Sequence, residues 1–282
     1  MNYRHAYHAG NHADVLKHAV LALVFQHLKK KDKPLAFLDA HGGTGRYDLM
    51  GVEAGKTGEW QDGVGKMADP FTDDVEALLA PWRAALAAEN PFGGLRYYPG
   101  SPVLAAQGLR VGDRILVNEL HPEDAAALRR EVGPDRRVKT SVLDAAQAVK
   151  SLLPFKERRG VVLIDPPYEQ KDETDQAFTM LAEGHRRFAT GVFMLWYPVK
   201  GLTFAETLVA RARALNLPAM LQVELRVREA FDGGGLAGSG LIIVNPPWQI
   251  DEELRRLVPA LARRLGLGDW GRGAVEWLVP AR

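Results

Sequence analysis

Apolar positions recur at helical spacing between Ala13 and Lys30, where Val15, Leu16, Ala19, Val20, Leu23 and Val24 share one face. Asn11 stands just before them, where a side-chain oxygen can cap a helix. A short apolar run, Leu35 to Leu38, reads as a strand ending at Asp39, and it opens into His41-Gly42-Gly43-Thr44-Gly45. Glycines in such a turn let the backbone approach a ligand closely, although His41 replaces the first glycine of the dinucleotide pattern.

The alternation then breaks. From about residue 48 to 99, glycines, Pro70, Pro81 and Pro91 punctuate short helical stretches such as Asp73 to Ala88, which suggests an inserted helical subdomain. Regular patterning resumes with a helix over Ser101 to Gly108, a strand over Arg114 to Asn118 and a helix over Pro122 to Glu131. A weak strand follows at Arg137 to Lys139, then a helix from about Ala145 to Leu153. Gly160 to Ile164 is a continuous apolar run, the pattern of a strand buried on both faces. Thr174 to Arg187 and Ala205 to Ala214 read as helices around a strand at Gly191 to Tyr197. Two final strands, Met220 to Arg226 and Gly240 to Val244, are joined across the flexible Gly233-Gly234-Gly235. Strands alternating with helices predict an α/β fold, a parallel sheet covered on both faces, in a single domain over 1–282.

Composition narrows the function classes. There is no cysteine, which excludes disulfides, zinc-thiolate sites and thiol nucleophiles. No apolar run approaches the roughly 18 residues of a membrane span, and Met1 to His5 lacks the apolar core of a secretory signal, so a cytoplasmic location is expected. The formal net charge is only +1, so nucleic-acid binding requires a basic surface on one side. Lys29-Lys30-Lys31, Arg136-Arg137, Arg158-Arg159 and Arg186-Arg187 are the clusters available for it, or are simply solvated helix ends and loops.

The strongest chemical candidate is Asp165-Pro166-Pro167-Tyr168, at the end of the buried strand. Ligands of open α/β sheets bind at strand carboxyl ends. Two prolines stiffen the loop and leave carbonyls without competing amide donors. Asp165 and the Pro166 carbonyl can each accept a hydrogen of a base amino group while Tyr168 stacks on the ring. The adenine amino nitrogen is a poor nucleophile because its lone pair is delocalised. Two acceptors localise that pair for attack on a sulfonium methyl, and Asp165 can then take the proton.

Asn245-Pro246-Pro247-Trp248 has the same form after another apolar strand. Asp165 is preferred because Asp39, Glu119, Asp144 and Asp165 each fall at or just past a strand in sequence order, and because the Asn245 loop ends the last strand. Glu119 suits ribose hydroxyls; Asp144, with Ala145 beside it, suits an adenine amino group; either is equally a helix cap or ion-pair partner. The N-terminal histidines include His8 and His12 at i,i+4, but no helical pattern covers both and no acidic ligand is interleaved, so no metal is expected. Tyr3-Arg4-His5-Ala6-Tyr7-His8 reads instead as an aromatic, basic arm over a nucleotide pocket, or as a packed terminus with no role.

Several stretches resemble the RlmJ family of bacterial 23S ribosomal RNA adenine-N6 methyltransferases, sometimes labelled competence-related proteins. They are Tyr3-Arg4-His5, His8 through His18, Leu95 through Pro102, Ile164 through Tyr168, Arg187 through Gly191, Leu195 through Pro198 and Asn245 through Trp248. The resemblance implies a Rossmann-like class I S-adenosyl-L-methionine-dependent methyltransferase sheet with a small inserted helical subdomain. It implies cofactor contacts at His18, His41, Ser101, Glu119, Asp144, Ala145 and Asp165, to which the turn reading adds Gly43. Asp165 would be the catalytic acid, with Pro166 and Tyr168 in its loop. Tyr3 would touch 23S rRNA, with His5 and Lys17 near the same pocket; no membrane or obligate protein partner is implied. A DNA adenine-N6 methyltransferase, or a non-catalytic nucleic-acid-binding protein linked to DNA uptake, are the alternatives. A protein-glutamine enzyme is disfavoured because Asp165 stands where those enzymes favour Asn.

Overall fold

Asn11 accepts the backbone N–H groups of Ala13 and Asp14, and this cap starts the helix His12–Lys29 (α1). A computed structural model describes residues 4–170 and 172–281. After α1 come Ala36–Asp39 (β1), Arg46–Asp48 (β2), Val52–Thr57 (α2), Glu59–Asp62 (α3), Asp73–Glu89 (α4) and Tyr97–Pro99 (β3). Ser101–Gly108 (α5), Arg114–Asn118 (β4), Pro122–Val132 (α6), Val138–Ser141 (β5), Ala145–Leu152 (α7) and Gly160–Ile164 (β6) follow. The chain ends with Glu173–Arg187 (α8), Val192–Val199 (β7), Leu202–Ala214 (α9), Met220–Arg226 (β8), Gly238–Val244 (β9), Ile250–Leu265 (α10) and Arg272–Val279 (β10).

Eight strands form one sheet in the order β10-β8-β9-β7-β6-β1-β4-β5. From β5 to β7 all neighbours are parallel. β9 runs antiparallel between β7 and β8, and β10 is an antiparallel edge strand on β8. The expectation of a parallel sheet therefore holds for the five strands from β5 to β7 and gives way beyond β7, where β9 and β10 are reversed. Strand alternation divides the core. Phe37, Val117, Leu163 and Met194 face the layer of α1, α4, α5 and α10. Leu38, Val162, Leu195 and Tyr197 face α7, α8 and α9.

Two elements go beyond the sequence reading, which ended its regular structure at Val244. α10 buries Ile250, Leu254, Leu257, Leu261 and Leu265 despite Pro259 within it. β10 alternates half-buried and exposed residues, as an edge strand does. Between residues 48 and 97 the chain leaves the sheet and returns through a ribbon, in which Arg46 pairs Pro99 and Asp48 pairs Tyr97. α4, the longest helix of this excursion, sinks Leu79 and Trp82 into the α1 side of the main core. Among the described residues no helix is long and apolar enough to cross a membrane.

Candidate active site

The carboxyl ends of β1, β4 and β6 and the amino-terminal half of α1 enclose a cavity of about 640 Å³, within the range of small-molecule sites. Strand register sets its floor: Asp39 ends β1 beside Val117 of β4 and Leu163 of β6, so the loops after all three strands converge. The glycine turn after β1 is held by Glu119. One carboxylate oxygen accepts the Gly43 N–H at 2.8 Å and the other accepts the His121 N–H at 2.8 Å. Gly43 has φ +58, and a Cβ there would lie 2.2 Å from the Tyr47 hydroxyl, so the turn requires glycine. Burial raises the Glu119 carboxyl above its ordinary value, against the pull of those two amides.

Asp165 follows β6 and is gripped from two directions. Its Oδ2 lies 2.5 Å from Lys17 Nζ, and its backbone N–H donates to His41 Nδ1 at 3.2 Å. Burial lowers His41 to about 4, so the ring is neutral and, with Nδ1 accepting, carries its proton on Nε2. Lys17 is 4% exposed and also lies 2.9 Å from Asp14 Oδ1. Burial disfavours its charge, but Asp14 and Asp165 outweigh that and hold it well above the ordinary lysine range. Asp14 in turn takes the Gly10 N–H and pairs with His5 Nε2, each at 2.9 Å. Lys17 and His5, expected near RNA, thus belong to one chain of polar contacts through Asp14 that ends on Asp165. Both line the cavity, yet Lys17 is committed to two carboxylates rather than extended toward phosphate.

The remaining expected cofactor positions also come together. His18, His41, Ser101, Asp144 and Ala145 all line the cavity. His18 is 1% exposed, its Nδ1 shares a hydrogen with the Tyr98 hydroxyl at 2.9 Å, and burial lowers it to about 3. Asp144 caps α7 through Oδ1, which accepts the Ala146 and Gln147 N–H groups. The helix-cap role is thus real, and Oδ2 remains for a ligand. Beneath Ala40 and His41, Asp39 is fully buried, with Oδ1 accepting the His41 N–H and Oδ2 without a hydrogen-bond partner. Burial raises Asp39 to about 6, with Ser101 and the His41 amide pulling the other way. Glu119, Asp144 and Asp165, three acids lining one cavity, are acceptors suited to the ribose, base and positive charge of a cationic nucleoside such as S-adenosyl-L-methionine.

Tyr168 is placed differently from the expectation. Its φ is +52, its ring is buried against Trp196 and Phe204, and its hydroxyl donates to the Trp196 carbonyl at 2.8 Å. Trp196 lines the cavity instead, its indole N–H fixed on the Ser239 hydroxyl at 2.7 Å and Lys17 Nζ 6.0 Å from its ring centre. Pro166 lines the cavity as expected. Tyr3 lies outside the described residues. Asp14 and Trp196 drew no functional notice in the sequence. Asp14 sits at i+3 from Asn11 and i−3 from Lys17, a pattern that reads first as helix capping and surface pairing.

The second Pro-Pro loop is on the other side of the sheet. Because β9 is antiparallel to β7, its carboxyl end meets the start of β7, with Val244 opposite Phe193. Asn245 Nδ2 donates to the carbonyls of Ala189 and Gly191, at 2.8 and 2.9 Å. The reason given from sequence, that this loop ends the last strand, is corrected by β10. The reversal of β9 is what separates the loops.

The order β5-β4-β1-β6-β7-β9-β8 with β9 reversed, and the strand-end acids around one cavity, are those of a Rossmann-like class I methyltransferase. Residues 32–279 match the family model described as ribosomal RNA large subunit methyltransferase D, RlmJ, and the chain belongs to that family. It is 41% identical over 280 residues to ribosomal RNA large subunit methyltransferase J of Escherichia coli (strain K12), covering 99% of both chains. It is 42% identical over 285 residues to the Haemophilus influenzae protein of the same name, again covering 99% of both. A crystal structure of a Legionella pneumophila protein is 30% identical, covers 96% of this chain and 98% of that one, and superposes with a TM-score of 0.85.

Proposed function

We propose that this chain transfers a methyl group from S-adenosyl-L-methionine to the exocyclic N6 of one adenine in 23S rRNA. The observation that carries the reading is Asp165 at the cavity floor, fixed by Lys17 at 2.5 Å and His41 at 3.2 Å, with Pro166 beside it. His18, His41, Gly43, Ser101, Glu119, Asp144 and Ala145 would hold the cofactor, which supplies an electrophilic sulfonium methyl when bound.

The chain's own residues do the rest. Asp165 and the Pro166 carbonyl accept the two N6 hydrogens, which draws the nitrogen lone pair out of the ring. Lys17 and His41 keep Asp165 from rotating away; orientation of this kind is worth at most roughly 7–11 kcal/mol. Once the new N–C bond has formed, Asp165 takes the proton from the cationic nitrogen. Tyr168 serves by anchoring the loop to Trp196, and Trp196 offers the face on which an extruded adenine can stack. We read residues 1–282 as one catalytic unit with 48–99 as its insertion, working on rRNA in the cytoplasm.

Methyl transfer from labelled cofactor to unmodified 23S rRNA and to adenine-containing duplex DNA tests the substrate. Label in RNA recovered as N6-methyladenosine supports the proposal. Label confined to DNA, or none with cofactor still bound, contradicts it.

A further inference from the structure

The basic clusters and the exposed tryptophan that the active site leaves unused converge on the opposite edge of the sheet. Lys30, Lys31 and Lys33 occupy the connection from α1 to β1, and Lys156, Arg158 and Arg159 the connection from α7 to β6. Both connections lie at the amino ends of the parallel strands. Arg159 and Arg110 are drawn together there: each donates to the Lys33 carbonyl, at 2.8 and 2.7 Å. Burial and this neighbouring guanidinium lower the Arg159 pKa. Among the described residues the carboxylates of these connections are paired, Asp32 and Asp113 with Arg110, Glu157 with Arg114 and Glu183 with Arg186 and Arg187. Among the described residues, Lys31, Lys33, Lys156, Arg158 and Arg159 form no ion pair.

The reversed β9 delivers Trp248 to the same edge. Asn245 is bonded to the carbonyls on either side of Thr190, and the Thr190 hydroxyl reaches the Arg158 carbonyl at 3.5 Å. Pro246 and Pro247 stiffen the lead-in, and Trp248 is left 83% exposed. An unpaired aromatic plane beside uncompensated cations is the combination that binds single-stranded nucleic acid, by stacking and by phosphate contact.

We propose that this edge is a second RNA-docking surface, which takes a segment of the substrate rRNA remote from the target adenine. Phosphates would lie on Lys31, Lys33 and Arg158, and an unpaired base on Trp248. The proposal rests on the reading of the chain as an rRNA methyltransferase. The five residues of β6 alone put roughly 17 Å between the two edges. A short fragment carrying the adenine reaches only the cavity, whereas a long rRNA can wrap to both.

The test compares the full-length protein with the triple variant Lys31→Ala/Lys33→Ala/Arg158→Ala and with Trp248→Ala, on 23S rRNA and on the shortest fragment still methylated. For the triple variant on long RNA, the slope of log affinity against log salt should become shallower by about 2–3. KM should rise about tenfold or more with kcat unchanged, and the short fragment should be unaffected. Trp248→Ala should weaken long-RNA binding roughly fivefold or more without changing the slope, and Trp248→Phe should restore most of it. Unchanged affinity and slope on long RNA would overturn the proposal. So would equal losses on the short fragment, or loss of binding to anionic phospholipid vesicles in place of RNA. If the wild type forms no N6-methyladenosine yet the binding differences persist, the catalytic reading fails and the docking surface stands.

Discussion

Lys17 Nζ lies 2.5 Å from Asp165 Oδ2, joining residues 148 positions apart. The pair ties the first helix to the loop after β6, and Asp14 closes it into a triad at 2.9 Å. Lys17→Met removes the cation between the buried Asp14 carboxylate and the half-buried Asp165 carboxylate. We expect a loss of about 3–5 kcal/mol in stability and a fall in kcat that exceeds any change in RNA KM. Chemical denaturation and steady-state kinetics check both. A purely RNA-binding defect would mean that Lys17 acts on phosphate after all.

Asp39 sets a pH dependence. Its carboxyl keeps its proton in the fold up to about pH 6, whereas the ordinary value is 3.8. A raised folded pKa favours the folded chain below the unfolded value, and that contribution is lost as pH rises through about 6. The cofactor-free protein should therefore lose stability over this window, and Asp39→Asn should flatten the loss. Binding of the cationic cofactor should move the other way, tightening as Asp39 ionises near pH 6. Calorimetric titration of S-adenosyl-L-methionine from pH 5 to 8 checks it; affinity that falls with rising pH contradicts the assignment.

Gly43→Ala places a methyl group 2.2 Å from the Tyr47 hydroxyl at a backbone φ of +58. The turn must shift, and with it the N–H that Glu119 accepts. Cofactor affinity should drop tenfold or more. Thermal stability should fall by no more than a few degrees, because the turn lies at the surface of the core. Unchanged affinity would separate the turn from the cofactor.

Asn245→Ala should have the opposite profile. It strands two carbonyls, those of Ala189 and Gly191, and puts alanine at a φ of +53. A cost of about 1–3 kcal/mol follows, with kcat on the shortest substrate fragment unchanged. Collapse of kcat with normal melting would place chemistry at the wrong edge of the sheet.

What was legible follows from what local pattern can encode. The strand Gly160 to Ile164 and the turn at Gly43 could be read because a continuous apolar run and a glycine loop are local signals. Asp39, Glu119, Asp144 and Asp165 fall into line for the same reason: each follows a strand. The pairing of Lys17 with Asp165 could not be seen, since it depends on how α1 is laid across the sheet. The Tyr168 ring turns inward through a positive φ that no pattern announces. α10 escaped because Pro259 interrupts an otherwise amphipathic stretch. The reversal of β9, which alone separates the two Pro-Pro loops, is a matter of topology.

The most direct test of the central claim is single-turnover methyl transfer to unmodified 23S rRNA by the wild type and by Asp165→Asn, with nucleoside analysis of the product. The account predicts N6-methyladenosine from the wild type. It predicts a rate at least about a hundredfold lower from the variant, since a neutral amide cannot take the proton, with cofactor still bound and the fold intact. Near-normal rates from Asp165→Asn, or a methylated product other than N6-methyladenosine, would contradict it.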